Sequence, residues 1–209
     1  TPLYSSAASD VYKRHTTTLY AIHNVLNSHE KNILTIENPV EYHIEGITQV
    51  LVKPEQGLGF ADTLRAALRQ DPDVLLIGEI RDEETANIAV KAALTGHLLL
   101  STLHSSDAVT AIQRLLNLWI APDLLAETLT VIVSQRLVRR LCSHQNGNKS
   151  NPHNSDKNCL RCRDTGYSGR IPVYEILKVN SLVRDRIQAG DTGRKLIRPE
   201  PELYFHTMG

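Results

Sequence analysis

The feature that most constrains the fold is a short apolar run with a polar segment on each side. Val74–Ile77 is continuously hydrophobic, with Asp71-Pro72-Asp73 before it and Gly78-Glu79 after it. A run without polar alternation is typical of a strand that is covered on both faces, as in a parallel sheet. Such a sheet needs covering helices, so the run predicts an α/β fold. Glu79 then lies at the carboxyl end of a strand, where sheets of this kind bind ligands.

Predicted strands and helices alternate on both sides of this run. Residues 33–36 and 98–101 are apolar segments that predict two further strands, and residues 63–69 predict a short helix. Successive strand-to-helix steps imply right-handed crossovers between parallel strands. The region from about residue 20 to residue 140 therefore predicts one layered α/β core.

Several helix boundaries are marked by single residues. Asp82 and Asp107 each precede an apolar stripe at helical spacing, and an aspartate at the N-cap accepts hydrogen bonds from the free N–H groups of the first turn. Pro122 suits the first turn of a further helix. We expect that helix to be long and to end at three arginines, whose charges favour the negative end of the helix dipole. These are Arg136, Arg139 and Arg140.

Length and composition limit the class of protein. The chain has 209 residues, of which 41% are hydrophobic and 22% are charged, enough for one domain with a core and a small appendage. Basic and acidic residues both number 23, so there is no overall attraction to nucleic acid or to an anionic membrane. No apolar run approaches the roughly 20 residues of a transmembrane helix. The chain begins at Thr1 without a signal-peptide pattern, which favours an internal portion of a longer cytoplasmic protein.

The three cysteines favour metal binding over disulfide formation. Cys159 and Cys162 are separated by two residues, a spacing found in many tetrahedral zinc sites, and Cys142 precedes them across a polar segment. Three reduced thiols in a degenerate loop are the alternative, and both interpretations suit a reducing compartment. A zinc ribbon that binds nucleic acid is disfavoured, because no basic stripe with interleaved aromatic residues surrounds the cysteines.

Four segments carry a resemblance to a known family. They are residues 68–82 (LRQDPDVLLIGEIRD), 35–41 (TIENPVE), 95–97 (TGH) and 101–104 (STLH). Together they resemble the ATPases of type II secretion and type IV pilus assembly, the GspE/PilB group, over about residues 16–177. Residues 68–82 agree with the family signature at every constrained position. The resemblance implies a RecA-like P-loop NTPase core, that is, a mostly parallel sheet flanked by helices, with a small cysteine-bearing subdomain.

The resemblance also implies which residues act on ATP and Mg²⁺. Glu79 matches the Walker B acid, Glu37 the acidic box and His104 the histidine box, and these three are the expected catalytic residues. The expected cofactor-binding residues are Thr16, Thr17, Glu41, Arg81 and His97. Arg81 either neutralises phosphate or forms a structural ion pair. Asn38 stands where the family usually has Asp, so metal binding through that position is expected to be weaker.

The phosphate-binding loop of the family is missing. A Walker A loop has the pattern G-x-x-x-x-G-K-[ST], because backbone N–H groups cradle the phosphates and the lysine neutralises them. No glycine precedes Gly46, and His15 stands where the lysine is expected, just before Thr16. The explanations left open are a natural paralogue that does not hydrolyse ATP, an N-terminal segment from a shifted reading frame, and a gene fragment. We expect negligible hydrolysis by this chain itself.

By the same resemblance, the parent protein is expected to form a homo-oligomeric ring, a hexamer, that drives protein export or pilus assembly with ATP. It is expected in the cytoplasm, held at the inner membrane by secretion or pilus platform proteins that contact an N-terminal domain absent from this chain. No nucleic-acid partner is expected. The alternative is a non-hydrolysing interaction subunit, or a truncated fragment, of such a ring.

The resemblance divides the chain into four parts. They are an atypical segment at 1–15 in place of the Walker A region, a RecA-like core at 16–141, a cysteine subdomain with a return to the core at 142–180, and a poorly specified tail at 181–209. The family's subdomain carries two C-x-x-C pairs, and Gln145 replaces one of those cysteines here. A structural Zn²⁺ would be held by Cys142, Cys159 and Cys162, with His144 or His153 as the fourth ligand.

Overall fold

The computed structural model describes residues 17–142, 159–163 and 165–197. Within them the chain forms two units. The first contains residues 17–132 and 177–197, and the second contains residues 133–142, 159–163 and 165–176. None of the helices in the described residues is both long and apolar enough to cross a membrane.

A four-stranded parallel sheet forms the centre of the first unit. Its strands are β1 (Ile33–Glu37), β2 (Thr48–Leu51), β3 (Val74–Ile77) and β4 (Leu98–Ser101), in the spatial order β2-β1-β3-β4. All residues of β1 and β3 are buried. The continuous apolar run of β3 predicts this, whereas β1 also buries the polar residues Thr35 and Glu37. The edge strand β2 is only partly buried, and the sequence analysis did not predict it.

Helices of the first unit precede, join and follow these strands. They are α1 (residues 17–26), α2 (Phe60–Leu68), α3 (Glu83–Leu94), α4 (Ala108–Asn117), α5 (Pro122–Thr128) and α6 (Ser181–Gln188). The two predicted N-caps are confirmed, since Asp82 accepts from the Thr85 N–H and Asp107 from the Thr110 N–H. The Thr110 hydroxyl in turn accepts from the Asp107 N–H, which completes a capping box.

The core lies between the inner strands and the helices around them. Ile36 and Ile77 of the sheet are fully buried, as are Leu64 of α2 and Ile112 of α4. Burial of apolar area of this kind is the main favourable term in folding. Because β1, β3 and β4 are parallel, their carboxyl ends lie at one edge of the sheet.

Residues 181–197 differ from the expected tail. They contain α6 and a 3-10 helix at Gly193–Ile197. Asn180 caps α6 by accepting from the Val183 N–H, and Val183, Ile187 and Leu196 are fully buried in the core of the first unit. This part of the chain therefore completes the core.

The predicted long helix from Pro122 to Arg140 is wrong. Helix α5 ends at Thr128, and Val131–Leu141 is a strand, β5, which pairs with β6 (Tyr167–Lys178). Most of both strands belongs to the second unit. Residues 131–133 are all β-branched and favour extended backbone, and a strand partner satisfies their backbone groups. The three arginines thus lie on a strand, where the Arg139 guanidinium stacks 4.0 Å from the centre of the Tyr167 ring.

Candidate functional site

A cavity of about 140 Å³ opens at the carboxyl edge of the sheet in the first unit. It is lined by α1, by the carboxyl ends of β1 and β3 with the segments that follow them, by the start of α2, and by the segment after β4. Its polar side chains are those of Tyr20, His23, Glu37, Asn38, Glu41, Glu79, Thr102 and His104. This is the place where α/β sheets bind ligands, because neighbouring strand ends leave a crevice there.

Glu79 is held by two basic side chains. It lies just after β3, and only 8% of it is exposed. Its Oε1 atom is 2.6 Å from an Arg81 nitrogen, and its Oε2 atom is 3.0 Å from His104 Nε2. Both carboxylate oxygens therefore have a partner, which offsets the cost of removing the charge from water.

The glycine before Glu79 lets the backbone of β1 approach closely. The Gly78 N–H donates to the Ile36 carbonyl over 2.8 Å, and a Cβ atom on Gly78 would lie 3.2 Å from that same oxygen. The Thr102 hydroxyl donates to the Gly78 carbonyl over 2.5 Å. These contacts fix the backbone that carries Glu79 between the ends of β1 and β4.

Glu37, the last residue of β1, accepts hydrogen bonds from three polar side chains. Thr35 Oγ1 and Gln49 Nε2 donate to Oε1 over 2.6 and 3.2 Å, and the Tyr20 hydroxyl donates to Oε2 over 2.5 Å. Glu37 is 5% exposed, so these donors replace its lost hydration. Burial of Tyr20, together with its bond to Glu37, raises the pKa of the phenol, which stays a neutral donor.

His23, like Tyr20 and Thr102, is a polar residue of the cavity wall that was not among the predicted site residues. It lies one turn after Tyr20 on α1 and is 1% exposed, and neither ring nitrogen has a hydrogen-bond partner among the described residues. Burial lowers the pKa of His23, although the nearby Glu37 charge partly opposes this. The ring is therefore held neutral. The signal for it was the spacing of Tyr20 and His23, which places both on one face of a helix.

The structure brings together most of the predicted nucleotide-site residues that it describes. Glu37, Glu41, Glu79 and His104 line the cavity, and Arg81 contacts Glu79. Thr17 begins the described part of α1 and does not line the cavity. Thr16 and the atypical segment at 1–15 lie outside the described residues.

His97 lies at the other edge of the sheet. It immediately precedes β4, whereas His104 follows it, so the length of the strand separates the two. Its Nδ1 atom is 3.0 Å from the Ala92 carbonyl oxygen and 3.1 Å from Thr95 Oγ1, at the end of α3. The structure therefore does not bring His97 to the cavity of its own chain.

The three cysteines converge in the second unit. Their sulfurs lie within 4.8 Å of one another, and those of Cys142 and Cys159 are 3.9 Å apart. Sulfurs that are bound to one zinc at about 2.3 Å lie roughly 3.8 Å apart, so the cluster fits a tetrahedral site. Hydrogen bonds from the N–H groups of Cys162 and Arg161 lower the pKa of the Cys159 thiol. The candidate fourth ligands His144 and His153, and Gln145, lie outside the described residues.

Comparison with known proteins agrees with this architecture. The chain is 47% identical over 196 residues to the type II secretion system protein E of Klebsiella pneumoniae, an alignment that covers 87% of this chain and 39% of the relative. It is 43% identical over 197 residues to the type IV pilus assembly ATPase PilB of Thermus thermophilus, covering 86% of this chain and 22% of the relative. The chain thus spans about two fifths, or less, of these relatives' lengths.

The crystal structure of the pilus retraction motor PilT with bound ADP matches the fold with a TM-score of 0.67 at 32% identity, covering 88% of this chain and 48% of that one. This likeness and the parallel sheet confirm the predicted RecA-like α/β core with a small cysteine-bearing subdomain. The model of one family, described as type II/IV secretion system protein, matches residues 14–203. The chain therefore belongs to the type II/IV secretion system protein family.

Proposed function

We propose that this chain is the nucleotide-binding part of an ATPase motor for type II secretion or type IV pilus assembly. The observation that carries the proposal is the Glu79 carboxylate, buried at a strand end and held by His104 and Arg81 beside a cavity. The family of the chain, and the relatives named as a secretion protein and a pilus ATPase, support the same assignment.

The residues of the cavity suit the cation of Mg²⁺-ATP. Glu37, Glu41 and Glu79 supply carboxylate oxygens, the ligands that Mg²⁺ prefers. Mg²⁺ bound with the nucleotide would neutralise phosphate charge there. Glu79 accepts a proton from, or orients, the attacking water, and His104 fixes one oxygen of Glu79 for that task.

The same residues do not suit the phosphates alone. Within the described part of the chain, the cavity is lined by three carboxylates and contains no lysine or arginine. A triphosphate placed against these acids is repelled unless a cation lies between them. The basic loop that the family uses is absent from the sequence, so we expect negligible ATP hydrolysis by this chain as it stands.

A restoration experiment tests this proposal. The residues before Thr16 are replaced by a G-x-x-x-x-G-K sequence, and this loop-restored chain is compared with the original chain for phosphate release from Mg²⁺-ATP. We expect turnover only in the loop-restored chain, and a fall of about 100-fold or more on Glu79→Gln. Glu83→Gln, which changes an exposed acid on α3, is the matched control and keeps the rate. No turnover after restoration, or equal rates for both variants, would overturn the proposal.

A second candidate role is that of an interaction subunit in a homo-oligomeric ring, with six subunits as the expected number. His97 supports this role, because it lies at the sheet edge away from its own cavity and so has no part in the site of its own chain. In this role the chain joins a cytoplasmic ring at an inner-membrane platform and does not hydrolyse ATP. Titrating it into an intact family ATPase should change turnover with dose, and His97→Ala should weaken that change. If the turnover of the intact ATPase does not change with the amount of added chain, the interaction-subunit role is excluded and the motor assignment remains.

We also propose that Cys142, Cys159 and Cys162 hold a structural Zn²⁺. The spacing of their sulfurs supports this, and zinc bound there supplies folding free energy rather than chemistry. The purified chain should contain one zinc per molecule by elemental analysis, and Cys162→Ser should lose most of it. Less than about a tenth of an equivalent in the unaltered chain after zinc addition would exclude the site.

A further inference from the structure

The three sulfurs of the second unit are close together but unequally accessible. Cys142 and Cys162 are buried at 3% and 4% exposure, whereas Cys159 is partly exposed. Cys159 is therefore the most exposed of the three residues to an oxidant in solution. The Cys142 sulfur lies 3.9 Å from the Cys159 sulfur.

One backbone hydrogen bond holds each of these two residues. The Cys142 N–H, just after β5, donates to the Gly166 carbonyl over 2.9 Å, and the Cys159 carbonyl accepts from the Arg163 N–H over 2.7 Å. A disulfide needs its sulfurs about 2.05 Å apart. The sulfurs must therefore approach by roughly 2 Å, and rotation about the Cα–Cβ bonds is the motion that moves them toward each other.

We propose that Cys159 is an oxidation site at which a hydroperoxide forms a disulfide with Cys142. A thiol that is accessible and lies beside a second, buried thiol has the arrangement of a peroxide-sensitive pair.

The reaction balances in two steps. The Cys159 thiolate attacks one peroxide oxygen, an S–O bond forms, the O–O bond breaks, and the leaving oxygen takes up a proton as water or an alcohol. The Cys142 thiol then attacks the sulfenic sulfur, an S–S bond forms, the S–O bond breaks, and the hydroxyl leaves as water with the Cys142 proton. The two thiols lose two electrons and the peroxide gains them.

The disulfide ties the end of β5 to the turn that precedes β6, across residues 143–158. If the zinc proposed above is bound, oxidation also removes two of its ligands and releases it. Only this release depends on the proposed zinc site, since the disulfide itself needs no metal.

The test uses the full chain, reduced, stripped of metal and titrated with hydrogen peroxide. We expect the free thiols to fall from three to one, the intact mass to fall by about 2 Da, and peptide mapping to find Cys142 linked to Cys159. Three thiols left after excess peroxide, a link from Cys159 to Cys162, or links only between molecules would each overturn the proposal.

Single variants separate the steps. Cys162→Ser is the matched control and still forms the bond, whereas Cys142→Ser stops at a sulfenic acid on Cys159 that dimedone traps. Cys159→Ser forms neither. If a variant fails to give the circular-dichroism spectrum of the unaltered chain, the peptide map of the unaltered chain decides alone. In a zinc-loaded sample, a chromogenic chelator should detect one zinc per disulfide; a chain that binds no zinc but forms the disulfide contradicts only the zinc site.

Discussion

Glu79 and His104 are joined by a 3.0 Å contact between Oε2 and Nε2, although 25 positions of sequence separate them. The contact exists because β3 and β4 are parallel neighbours, with Ile77 opposite Ser101, so that the residues after each strand emerge at the same edge. Arg81 holds the other oxygen of the same carboxylate. The parallel pairing of β3 and β4 thus brings an acid and a base together that are far apart in the sequence.

His104→Ala should slow ATP turnover in the loop-restored chain by about tenfold or more, with little change in KM. The variant frees one oxygen of Glu79, so the acid is less well oriented. His104→Gln, which keeps a donor, should recover part of the rate. Because Glu79 is only 8% exposed, loss of this partner should also lower the urea unfolding midpoint, and His104→Gln should recover part of that loss. A rise in KM at constant kcat would show that His104 binds nucleotide instead.

Tyr20→Phe should destabilise the first unit by about 1–3 kcal/mol. The variant keeps the ring but removes the buried hydroxyl that donates to Glu37, which leaves a desolvated carboxylate oxygen without that donor. The measurement is urea unfolding at pH 7. Tyr42→Phe is the matched control, because Tyr42 is 52% exposed and stacks on Tyr20 through its ring, which the change preserves. Equal losses in the two variants would mean that the Glu37 network adds no stability.

Patterns that depend on burial could be predicted from the sequence. The strand β3 and the capped starts of α3 and α4 follow from continuous hydrophobicity and from aspartates before apolar stripes. The placement of Glu37, Glu79 and His104 follows because each comes at the end of a parallel strand or shortly after it.

Other features depend on tertiary pairing that no local pattern shows. Arginines near the end of an apolar segment suit both a helix terminus and an exposed strand, and the pairing of β5 with β6 decides between them. The position of His97 could have been predicted, since residues before and after a parallel strand lie at opposite edges of the sheet. The spacing of Tyr20 and His23 predicts that they share a helix face, but the burial of His23 depends on how α1 packs beside Glu37 and has no local signal.

The stability of the first unit should fall between about pH 7 and pH 5.5 through His23. Its folded pKa is lower than the ordinary value of 6.5 because the ring is buried. Below that ordinary value the unfolded chain binds a proton that the folded chain excludes. The stability due to this residue is therefore complete above it and is lost as the pH falls, by at most about 1.4 kcal/mol per pH unit.

His23→Leu tests this dependence. Unfolding in urea at pH 7 and pH 5.5 should show a smaller loss for the variant than for the unaltered chain, since leucine takes up no proton. The variant should also be no less stable at pH 7, because two buried nitrogens without partners in the described structure are removed. His29→Leu, at an exposed position, is the control and should keep the full pH dependence. An unchanged difference in His23→Leu would assign the acid sensitivity to other groups.

Gly78→Ala should destabilise the chain by about 1–3 kcal/mol and misplace Glu79. The added Cβ would lie 3.2 Å from the Ile36 carbonyl oxygen, which is itself fixed by the hydrogen bond from the Gly78 N–H. Neither backbone can move without disturbing the pairing of β1 with β3, so we expect the added methyl group to displace the Glu79 carboxylate that follows.

Gly59→Ala is the matched control, since no atom lies within 4 Å of its added Cβ and its backbone is extended. We expect Gly78→Ala to lower both the urea midpoint and the turnover of the loop-restored chain, and Gly59→Ala to change the midpoint by less than about 1 kcal/mol and to keep turnover. Full turnover in Gly78→Ala would show that the close approach of β1 and β3 does not position Glu79.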